Sequence, residues 1–217
     1  MINPSLNINS TEFEVDNRII SDFVLNKLIP VVGISAFPIN EMMLMVSAVC
    51  RFTPTLLFEW GTNSGNSARI FYETIKEFNI DCQINSIELP DDVFHTEHPH
   101  EYRGILVKGL PEVVLHQGDG ITEAIKIYLE STISGDVMFF IDGDHSYKSV
   151  KRELDIILRM IQGAVILVHD TFYQSSDSGY NIDPYLAIKD ALRGKNYKVI
   201  STIGSPGMTL IYKTNHI

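Results

Sequence analysis

The stretch LLFEWGTNSGNS, residues 56–67, decides the fold of this chain. A short apolar run ends at Glu59, and glycines, asparagines and small hydroxyl residues follow before a helical pattern begins at Ala68. This order predicts a strand, a tight turn and the start of a helix. The glycines at 61 and 65 leave room for a ligand close to the backbone, and the amides at the helix start can donate hydrogen bonds to it. An ordinary strand-to-helix turn without a ligand is the alternative interpretation.

The sequence after Pro54 alternates between strand and helix patterns, which is typical of a mostly parallel sheet with helices on both faces. Strands are predicted at 55–60, 82–89, 113–116, 137–141 and 164–168, and helices at 66–78, 121–129, 147–161 and 185–192. The segments KVISTIG and MTLIYKT, separated by Ser205, Pro206 and Gly207, predict a terminal antiparallel hairpin. The predicted fold class is therefore α/β, a Rossmann-like doubly wound sheet of seven mostly parallel strands.

The residues before the sheet predict an extended arm over 1–16 and two amphipathic helices over 17–28 and about 41–51. Pro30 is expected to end the first helix, and Pro54 follows the second. We expect a single domain. Residues 1–54 form its arm and N-terminal helices, which cap the substrate site, and residues 55–217 form its core.

The composition restricts the class of partner. The formal net charge is -10, and basic residues form no long run, which argues against a nucleic-acid or anionic membrane surface. The apolar runs are too short to cross a bilayer, and residues 1–16 do not have the pattern of a secretion signal, so we expect a cytoplasmic protein. Cys50 and Cys82 lack CxxC spacing and are expected to be reduced, buried thiols.

Polar side chains follow almost every predicted parallel strand. They are Glu59, Glu88, Asp119, Asp142 with Asp144, and His169 with Asp170, in strand order. Ligands of open parallel sheets bind beyond the carboxyl ends of the strands, so these side chains are the candidate site. For Asp119 and Asp144 the alternative is that they only cap the helices that follow.

We call residues 61–65, GTNSG, the glycine turn. Glu88 ends the second strand about 20 residues beyond the glycine turn, which is where an acid binds a ribose diol in nucleotide-binding sheets. An adenosine-containing ligand is therefore indicated. The turn GTNSG lacks the G-x-G-x-x-G spacing that seats a pyrophosphate, which disfavours a dinucleotide. The lysine of a G-x-x-x-x-G-K-[ST] loop is also absent, which argues against ATP or GTP.

The motifs EWGTNSGNS, SIELP, QGDG, FFIDGDHSY and VHDT, in this order, resemble those of the class I S-adenosylmethionine-dependent methyltransferases. The resemblance is strongest to the small branch with catechol-type and macrocin-type O-methyltransferases and cephalosporin-hydroxylase-like proteins. It covers about residues 55–173, and the terminal hairpin fits the family's antiparallel seventh strand. The resemblance implies transfer of a methyl group from S-adenosylmethionine to a hydroxyl of a small molecule, such as a sugar or a phenolic secondary metabolite.

The resemblance also implies the cofactor-binding residues. Those around the methionine part would be Glu59, Gly61, Asn63, Gly65 and Ser67. Glu88 would bind the ribose, Gly118 and Asp119 would lie near the adenine, and Asp142 would complete the set. A cluster of acids suits a cationic sulfonium better than it suits phosphates.

In metal-dependent relatives, an Asp after the fourth strand and an acid pair after the fifth hold one divalent cation. Asp142 and Asp170 match these positions, whereas His169 stands where many relatives have an acid. An imidazole ligand would favour Mn²⁺ or Fe²⁺ over Mg²⁺. The alternative is that His169 is no ligand and acts as a base or hydrogen-bond donor, so the sequence leaves the divalent cation open.

His145 is the second candidate base, because it follows the fourth strand beside the expected acceptor position. The alternative is that residues 144–146 simply cap the next helix, and both interpretations can hold together.

Three histidines, His95, His98 and His100, lie in a loop that predicts a substrate-side flap more than a zinc site. Two other functions compete with methyl transfer: a nicotinamide-dependent oxidoreductase on the same sheet, and a non-catalytic protein that keeps the fold. The N-terminal helices and the terminal hairpin could supply a homodimer surface.

Overall fold

The computed structural model of the protein describes residues 2–93, 100–173 and 179–213. Its strands are β1 (Leu56–Trp60), β2 (Gln83–Glu88), β3 (Val113–Gln117), β4 (Val137–Ile141), β5 (Val165–His169), β6 (Lys198–Ser201) and β7 (Met208–Tyr212). They form one seven-stranded sheet in the order β3-β2-β1-β4-β5-β7-β6. Strands β1 to β5 run parallel, and β7 pairs antiparallel with both β5 and β6. The predicted fold class, including the terminal hairpin, is confirmed.

The helices are α1 (Asn17–Phe23), α2 (Ile29–Val32), α3 (Ile39–Phe52), α4 (Asn66–Phe78), α5 (Gly120–Glu130), α6 (Tyr147–Met160) and α7 (Asp183–Ala191). Each face of the sheet carries its own apolar core. One core joins α1, α3 and α4 through side chains such as Phe23, Met45 and Phe71. The other joins α5, α6 and α7 through side chains such as Ile121 and Leu154. Neither Cys50 nor Cys82 forms a disulfide, and both thiols are buried as predicted.

The prediction that Pro30 ends the first helix is wrong. A π-helical segment, Val24–Leu28, joins α1 directly to α2, and Pro30 lies within the first two positions of α2. In the π-helical turn the amide of Ile29 donates to the carbonyl of Val24, five residues back. Proline lacks an N–H, and it is tolerated in the first turn of a helix because no intrahelical bond is required of it there. The chain turns away only after Gly33, which has a positive φ of 70°.

The N-terminal arm is held to the domain by a buried arginine. The guanidinium of Arg51 donates to the carbonyl oxygens of Ile8 at 3.0 Å and Glu12 at 3.2 Å, and also to that of Ser10. Charge-assisted bonds of this kind fix a segment that has no regular structure of its own. Within the described residues, no helix has the length and apolar character needed to span a membrane.

The register of the sheet brings the predicted site residues together. Trp60 is paired with Ile87 on one side and with Ile141 on the other. The residues that follow these three, Gly61, Glu88 and Asp142, therefore leave the sheet side by side at its carboxyl edge.

Candidate functional site

A cavity of about 830 Å³ opens at this carboxyl edge. Its walls include residues 60–63, 66–67, 87–89, 118–120, 142–145 and 169–170, together with Ala36, Phe37, Ser149 and Glu153. A cavity of this size at the ends of parallel strands is where sheets of this class bind small ligands.

The glycine turn forms one wall of the cavity. Gly61 has a φ of +86°, and a Cβ there would lie 2.2 Å from the carbonyl oxygen of Asp142. Only glycine is compatible with both conditions. Gly65, with a φ of +92°, is the N-cap of α4, and a Cβ there would lie 3.0 Å from the side chain of Val107. It does not line the cavity, so its predicted contact with a ligand stays a prediction.

Glu88 is held in a fixed position at the end of β2. Its Oε2 accepts a hydrogen bond from the amide of Asn63 at 2.9 Å, and its Oε1 accepts one from the amide of Leu89 at 2.8 Å. Each carboxylate oxygen has a further lone pair, so the group can still accept hydrogen bonds from ligand hydroxyls. Hydrogen bonds from the glycine turn and from Leu89 thus hold the Glu88 carboxylate in one orientation at the cavity wall.

Glu59 is fully buried and does not line the cavity. The hydroxyl of Ser67 donates to its Oε2 at 2.5 Å, and the hydroxyl of Ser86 donates to its Oε1. Burial raises the pKa of Glu59 to about 7, although both hydroxyl hydrogen bonds lower it. Glu59 therefore fixes Ser67, which does line the cavity, and its own predicted contact with a ligand stays a prediction.

Asp119 is the N-cap of α5, because its Oδ1 accepts from the amide of Thr122 at 3.1 Å. Arg152 also binds it with both terminal nitrogens, at 2.8 and 3.0 Å. The hydrogen bond from Arg152 is the main reason that the pKa of Asp119 falls to about 2. Asp119 therefore caps α5 and also lines the cavity, so its predicted place near the adenine stays a prediction. The neighbouring Gly118 donates its amide to the carbonyl of Glu88 at 2.9 Å.

His169 lies at the end of β5 with a carboxylate at each ring nitrogen. Nδ1 is 2.9 Å from Oδ1 of Asp142, and Nε2 is 3.0 Å from Oε2 of Glu41. Ionised carboxylates only accept hydrogen bonds, so both nitrogens carry hydrogen and the ring is an imidazolium. Burial by itself lowers the pKa of His169, but the hydrogen bonds to Asp142 and Glu41 raise it to about 10. We call this arrangement of Glu41, His169 and Asp142 the histidine clamp.

Glu41 was missed by the sequence analysis. It lies in the first turn of α3, is 1% exposed, and also accepts a hydrogen bond from the amide of Gly207 at 2.8 Å. The available signal was a lone acid at the start of the apolar run MMLMV, because such an acid is buried only with a partner. Phe37, just before α3, packs edge-on against the ring of His169 with the ring centroids 5.1 Å apart.

His145 is the accessible histidine of the site. Its Nε2 lies 3.4 Å from Oδ2 of Asp170 and 3.8 Å from Oδ1 of Asp142. Capping of α6 falls to Ser146, which accepts from the amide of Ser149, while Asp144 accepts from the amide of Ser146. The side chain of His145 takes no part in capping α6, and it lines the cavity.

Asp170 has the left-handed backbone conformation, with a φ of 56°. Its Oδ1 accepts a hydrogen bond from the hydroxyl of Tyr180 at 2.6 Å. Non-glycine residues in this conformation are uncommon and concentrate at functional sites. Burial, and then the hydrogen bond to Asp170, raise the pKa of the Tyr180 hydroxyl.

The predicted metal set, Asp142, His169 and Asp170, does not fit a cation in this arrangement. A histidine binds a metal through a ring nitrogen that has no hydrogen, and both nitrogens of His169 face carboxylates. In the part of the chain that the structure describes, no group of three or more His, Cys, Asp or Glu side chains is arranged to hold a metal ion. The metal role stays a prediction, and no catalytic step is assigned to it.

A family model described as a methyltransferase domain matches residues 58–171, which is more than half of the 217 residues. The chain belongs to this methyltransferase family. The part of the methyltransferase that the family model covers includes the glycine turn, Glu88, His145 and His169. Glu41 lies outside it and comes from the N-terminal part of the chain.

Solved structures similar to this methyltransferase support the fold. The O-methyltransferase TomG from Streptomyces achromogenes, in complex with SAM, is 16% identical, with 91% of this chain and 95% of that chain covered and a TM-score of 0.59. The O-methyltransferase from Bacillus cereus, in complex with SAH, is 15% identical, with 90% and 96% covered and a TM-score of 0.59. A TDP-rhamnose 3′-O-methyltransferase of calicheamicin biosynthesis is 14% identical, with 88% and 86% covered and a TM-score of 0.58. No curated protein matches the chain.

Residues 94–99 of the loop predicted to form a flap lie outside the described residues. His95 and His98 are not described, and of His100 only the backbone is described, in a short 3₁₀ turn, His100–Tyr102. The flap and the zinc alternative therefore both stay predictions.

Proposed function

We propose that the protein is an S-adenosylmethionine-dependent O-methyltransferase that methylates a hydroxyl of a small molecule. The observation that carries this proposal is the position of Glu88 and His145 in one cavity. Glu88 is held by the glycine turn as an acceptor for ribose hydroxyls, and His145 lies beside Asp142 and Asp170, ready to accept a proton. The similar O-methyltransferases from Streptomyces achromogenes and Bacillus cereus are in complex with SAM and SAH, which supports the same conclusion.

The cavity fits the cofactor chemically. Gly61 lets the turn after β1 pack directly against the backbone of Asp142, and the orientated carboxylate of Glu88 matches a ribose diol. Asp142 and Asp170 add negative charge, which suits a sulfonium. When bound, S-adenosylmethionine supplies an electrophilic methyl group and leaves as S-adenosylhomocysteine.

His145 is proposed as the general base of the transfer. As the acceptor oxygen forms its bond to the methyl carbon, the bond from that carbon to sulfur breaks and the sulfur takes the electron pair. The hydroxyl proton moves to the unprotonated ring nitrogen of His145. Asp170 and Asp142 lie near Nε2 and stabilise the imidazolium that forms.

The histidine clamp has a different proposed role. The His169 ring is already protonated on both nitrogens, so it cannot accept the acceptor's proton. Its fixed positive charge lies next to Asp142 and holds that carboxylate in place. The clamp thus fixes the wall of the cavity near the methyl group and leaves proton transfer to His145.

The acceptor class follows from the walls around His145. Phe37 and Ala36 provide apolar surface, and Asp170, which accepts a hydrogen bond from the hydroxyl of Tyr180, provides a polar group. A phenol or a sugar hydroxyl fits this mixture. We propose that residues 1–54 act as the substrate cap, because Phe37 lines the cavity and Glu41 holds His169.

The proposal is tested first by calorimetry of S-adenosylhomocysteine binding to the wild type, Glu88→Ala and the surface control Glu130→Ala. We expect binding by the wild type and the control and a loss of about tenfold or more with Glu88→Ala. Absence of binding by the wild type contradicts the proposal. Methyl transfer from labelled S-adenosylmethionine to a panel of phenols and nucleoside-diphosphate sugars then tests activity. Binding without turnover on any acceptor would favour the non-catalytic alternative.

We keep a homodimer as part of the proposal. Exposed apolar side chains occur on the N-terminal helices, at Leu25 and Val31, and on the terminal hairpin, at Val199 and Ile203. Light scattering after size-exclusion chromatography measures the mass, and a monomer at micromolar concentration contradicts a stable dimer.

A further inference from the structure

Two poorly paired polar atoms are buried in one part of the cavity. The indole Nε1 of Trp60 and the Oε2 of Glu153 are both buried, and neither makes a hydrogen bond of normal geometry to the described residues. The two side chains lie close to each other, since the indole N–H acts on the Glu153 carboxyl group as a hydrogen-bond donor and lowers its pKa. Both side chains line the cavity, and they are only 4% and 5% exposed. Buried polar groups in folded proteins are almost always well paired. A carboxyl group that meets only a poorly aligned indole N–H therefore keeps hydrogen-bonding capacity for a ligand or water in the cavity.

The position of Trp60 is fixed by two glycines. A Cβ on Gly120 would lie 2.5 Å from Cγ of the indole, and a Cβ on Gly143 would lie 3.0 Å from its Cδ1. These glycines follow β3 and β4, so the indole is wedged between two backbone turns. We call the part of the cavity bounded by Trp60, residues 118–120, Gly143 and Glu153 the indole wing.

The indole wing adjoins the proposed ribose site. The carbonyl of Glu88 accepts from the amide of Gly118 at 2.9 Å, so the end of β2 and the start of the wing are bonded together. In the other direction, the glycine turn leads from Glu88 towards Asp142 and His145. A ribose held by Glu88 with its sulfonium towards His145 therefore directs its base into the indole wing.

We propose that the carboxyl group of Glu153 binds the amino edge of the cofactor's adenine, with the indole of Trp60 fixing the carboxyl group in place. This inference rests on the proposed use of S-adenosylmethionine. It assigns adenine selectivity to a residue in the middle of α6, outside the strand-end residues that the sequence indicated.

The charges around Glu153 favour a neutral carboxylic acid. Burial, and after it the carboxylates of Asp119 and Asp144, raise its pKa to about 8, although Arg152 and the indole of Trp60 lower it. A carboxylic acid presents one donor and one acceptor. The side-chain amides of Asn and Gln have the same arrangement, and they pair with the N6 amine and a ring nitrogen of adenine. Glu153 can therefore make the same paired contact.

The experiment measures binding of two ligands by calorimetry at pH 6.5. The ligands are S-adenosylhomocysteine and its analogue that carries purine, without the 6-amino group. The proteins are the wild type, Glu153→Gln, Glu153→Leu and the surface control Glu130→Leu. Thermal unfolding of each protein without ligand checks the fold, and Glu153→Leu is expected to remain folded because it replaces a poorly paired buried carboxyl group with an apolar side chain.

We expect the wild type, Glu153→Gln and Glu130→Leu to bind S-adenosylhomocysteine about tenfold or more tightly than the purine analogue. Glu153→Leu is expected to bind both ligands equally and weakly. If the wild type and Glu153→Leu prefer S-adenosylhomocysteine over the purine analogue by the same factor, the inference is overturned. Water in the indole wing would then account for the poorly paired polar atoms. Failure of the wild type to bind S-adenosylhomocysteine at all overturns the proposed function instead, so the two failures are distinct.

Discussion

The Nε2 atom of His169 lies 3.0 Å from Oε2 of Glu41, although 128 positions separate the two residues in the chain. Asp142 approaches the other ring nitrogen at 2.9 Å, so a buried cation is held between two carboxylates. Removing one partner of such a group leaves an uncompensated charge away from water, which is costly.

Replacing Glu41 by Gln is expected to weaken the histidine clamp. The amide oxygen can still accept from Gly207, but the negative charge is lost. The pKa of His169 should fall from about 10 towards its ordinary value, and the free energy of unfolding at pH 7 should fall by about 1–3 kcal/mol. NMR titration of His169 and urea unfolding measure the two effects. Glu112→Gln, at an exposed pair with Lys76, is the control, and an unchanged His169 pKa in Glu41→Gln would contradict the clamp.

Glu153 is expected to make stability fall as the pH rises. Its pKa is raised to about 8 in the folded protein, above the value of about 4.3 in an unfolded chain. The protonated group's contribution is complete below the unfolded pKa and is lost as pH rises through the folded pKa. Between these values the unfolding free energy should fall by up to about 1.4 kcal/mol per pH unit from this group. Urea unfolding from pH 5 to 8 should therefore show a shallower decline in Glu153→Gln, whereas parallel curves would rule the linkage out. Glu59, whose pKa is raised to about 7, titrates in both proteins and cancels in the comparison.

His145→Asn is expected to slow methyl transfer without weakening cofactor binding. Loss of a general base lowers the rate by about 10²- to 10⁴-fold. Single-turnover rates and S-adenosylhomocysteine affinities separate the two effects. His116→Asn is the matched control, because His116 contacts Asn85 at 3.0 Å and does not line the cavity. A normal single-turnover rate in His145→Asn would assign the proton to another acceptor.

Gly61→Ala is expected to destabilise the protein and to distort the cavity, because the new Cβ causes a steric clash in addition to backbone strain. Gly33→Ala is the matched control: both glycines have a positive φ, but a Cβ at Gly33 meets nothing within 4 Å, whereas one at Gly61 would overlap the carbonyl of Asp142. We expect Gly61→Ala to unfold about 1–3 kcal/mol more easily than Gly33→Ala, and to lose cofactor affinity as well. Equal unfolding free energies of the two variants would show that the glycine turn can move to accommodate the Cβ, and would contradict the prediction.

Exhaustive chelation is expected to leave methyl transfer unchanged, because both ring nitrogens of His169 are engaged by carboxylates. The comparison is between enzyme dialysed against EDTA and the same enzyme given Mg²⁺ or Mn²⁺ afterwards. Activity that disappears with the chelator and returns with one metal would restore the predicted role of Asp142 and Asp170.

The sheet could be predicted because its information is local. Apolar runs of strand length end in acids, and the register of β1 with β2 and β4 places Gly61, Glu88 and Asp142 together without any knowledge of packing. Family membership also follows from contiguous motifs. The capping of α5 by Asp119 was available as an alternative for the same reason, since it involves a residue three positions away.

The missed residues depend on contacts between distant segments. Glu41 is recognisable only once α3 meets β5, and Glu153 is hidden by its regular place in an amphipathic helix. Pro30 shows the opposite limit, because a π-helical turn lets the chain continue where the local rule predicts a stop. The structural roles of these residues therefore depend on their contacts in the folded protein, and residue type and local sequence do not reveal them.

The carboxylate of Glu41 also accepts from the amide of Gly207, so α3, β5 and the terminal hairpin meet at one side chain. On the ribosome the chain emerges from its N-terminus, and the glycine turn with β1 and β2 is available long before Gly207 is made. One of the two hydrogen-bond donors to Glu41 is therefore absent until the terminal hairpin has been synthesised. The half of the cavity around His169 is completed late in synthesis, whereas the half that holds Glu88 can form early.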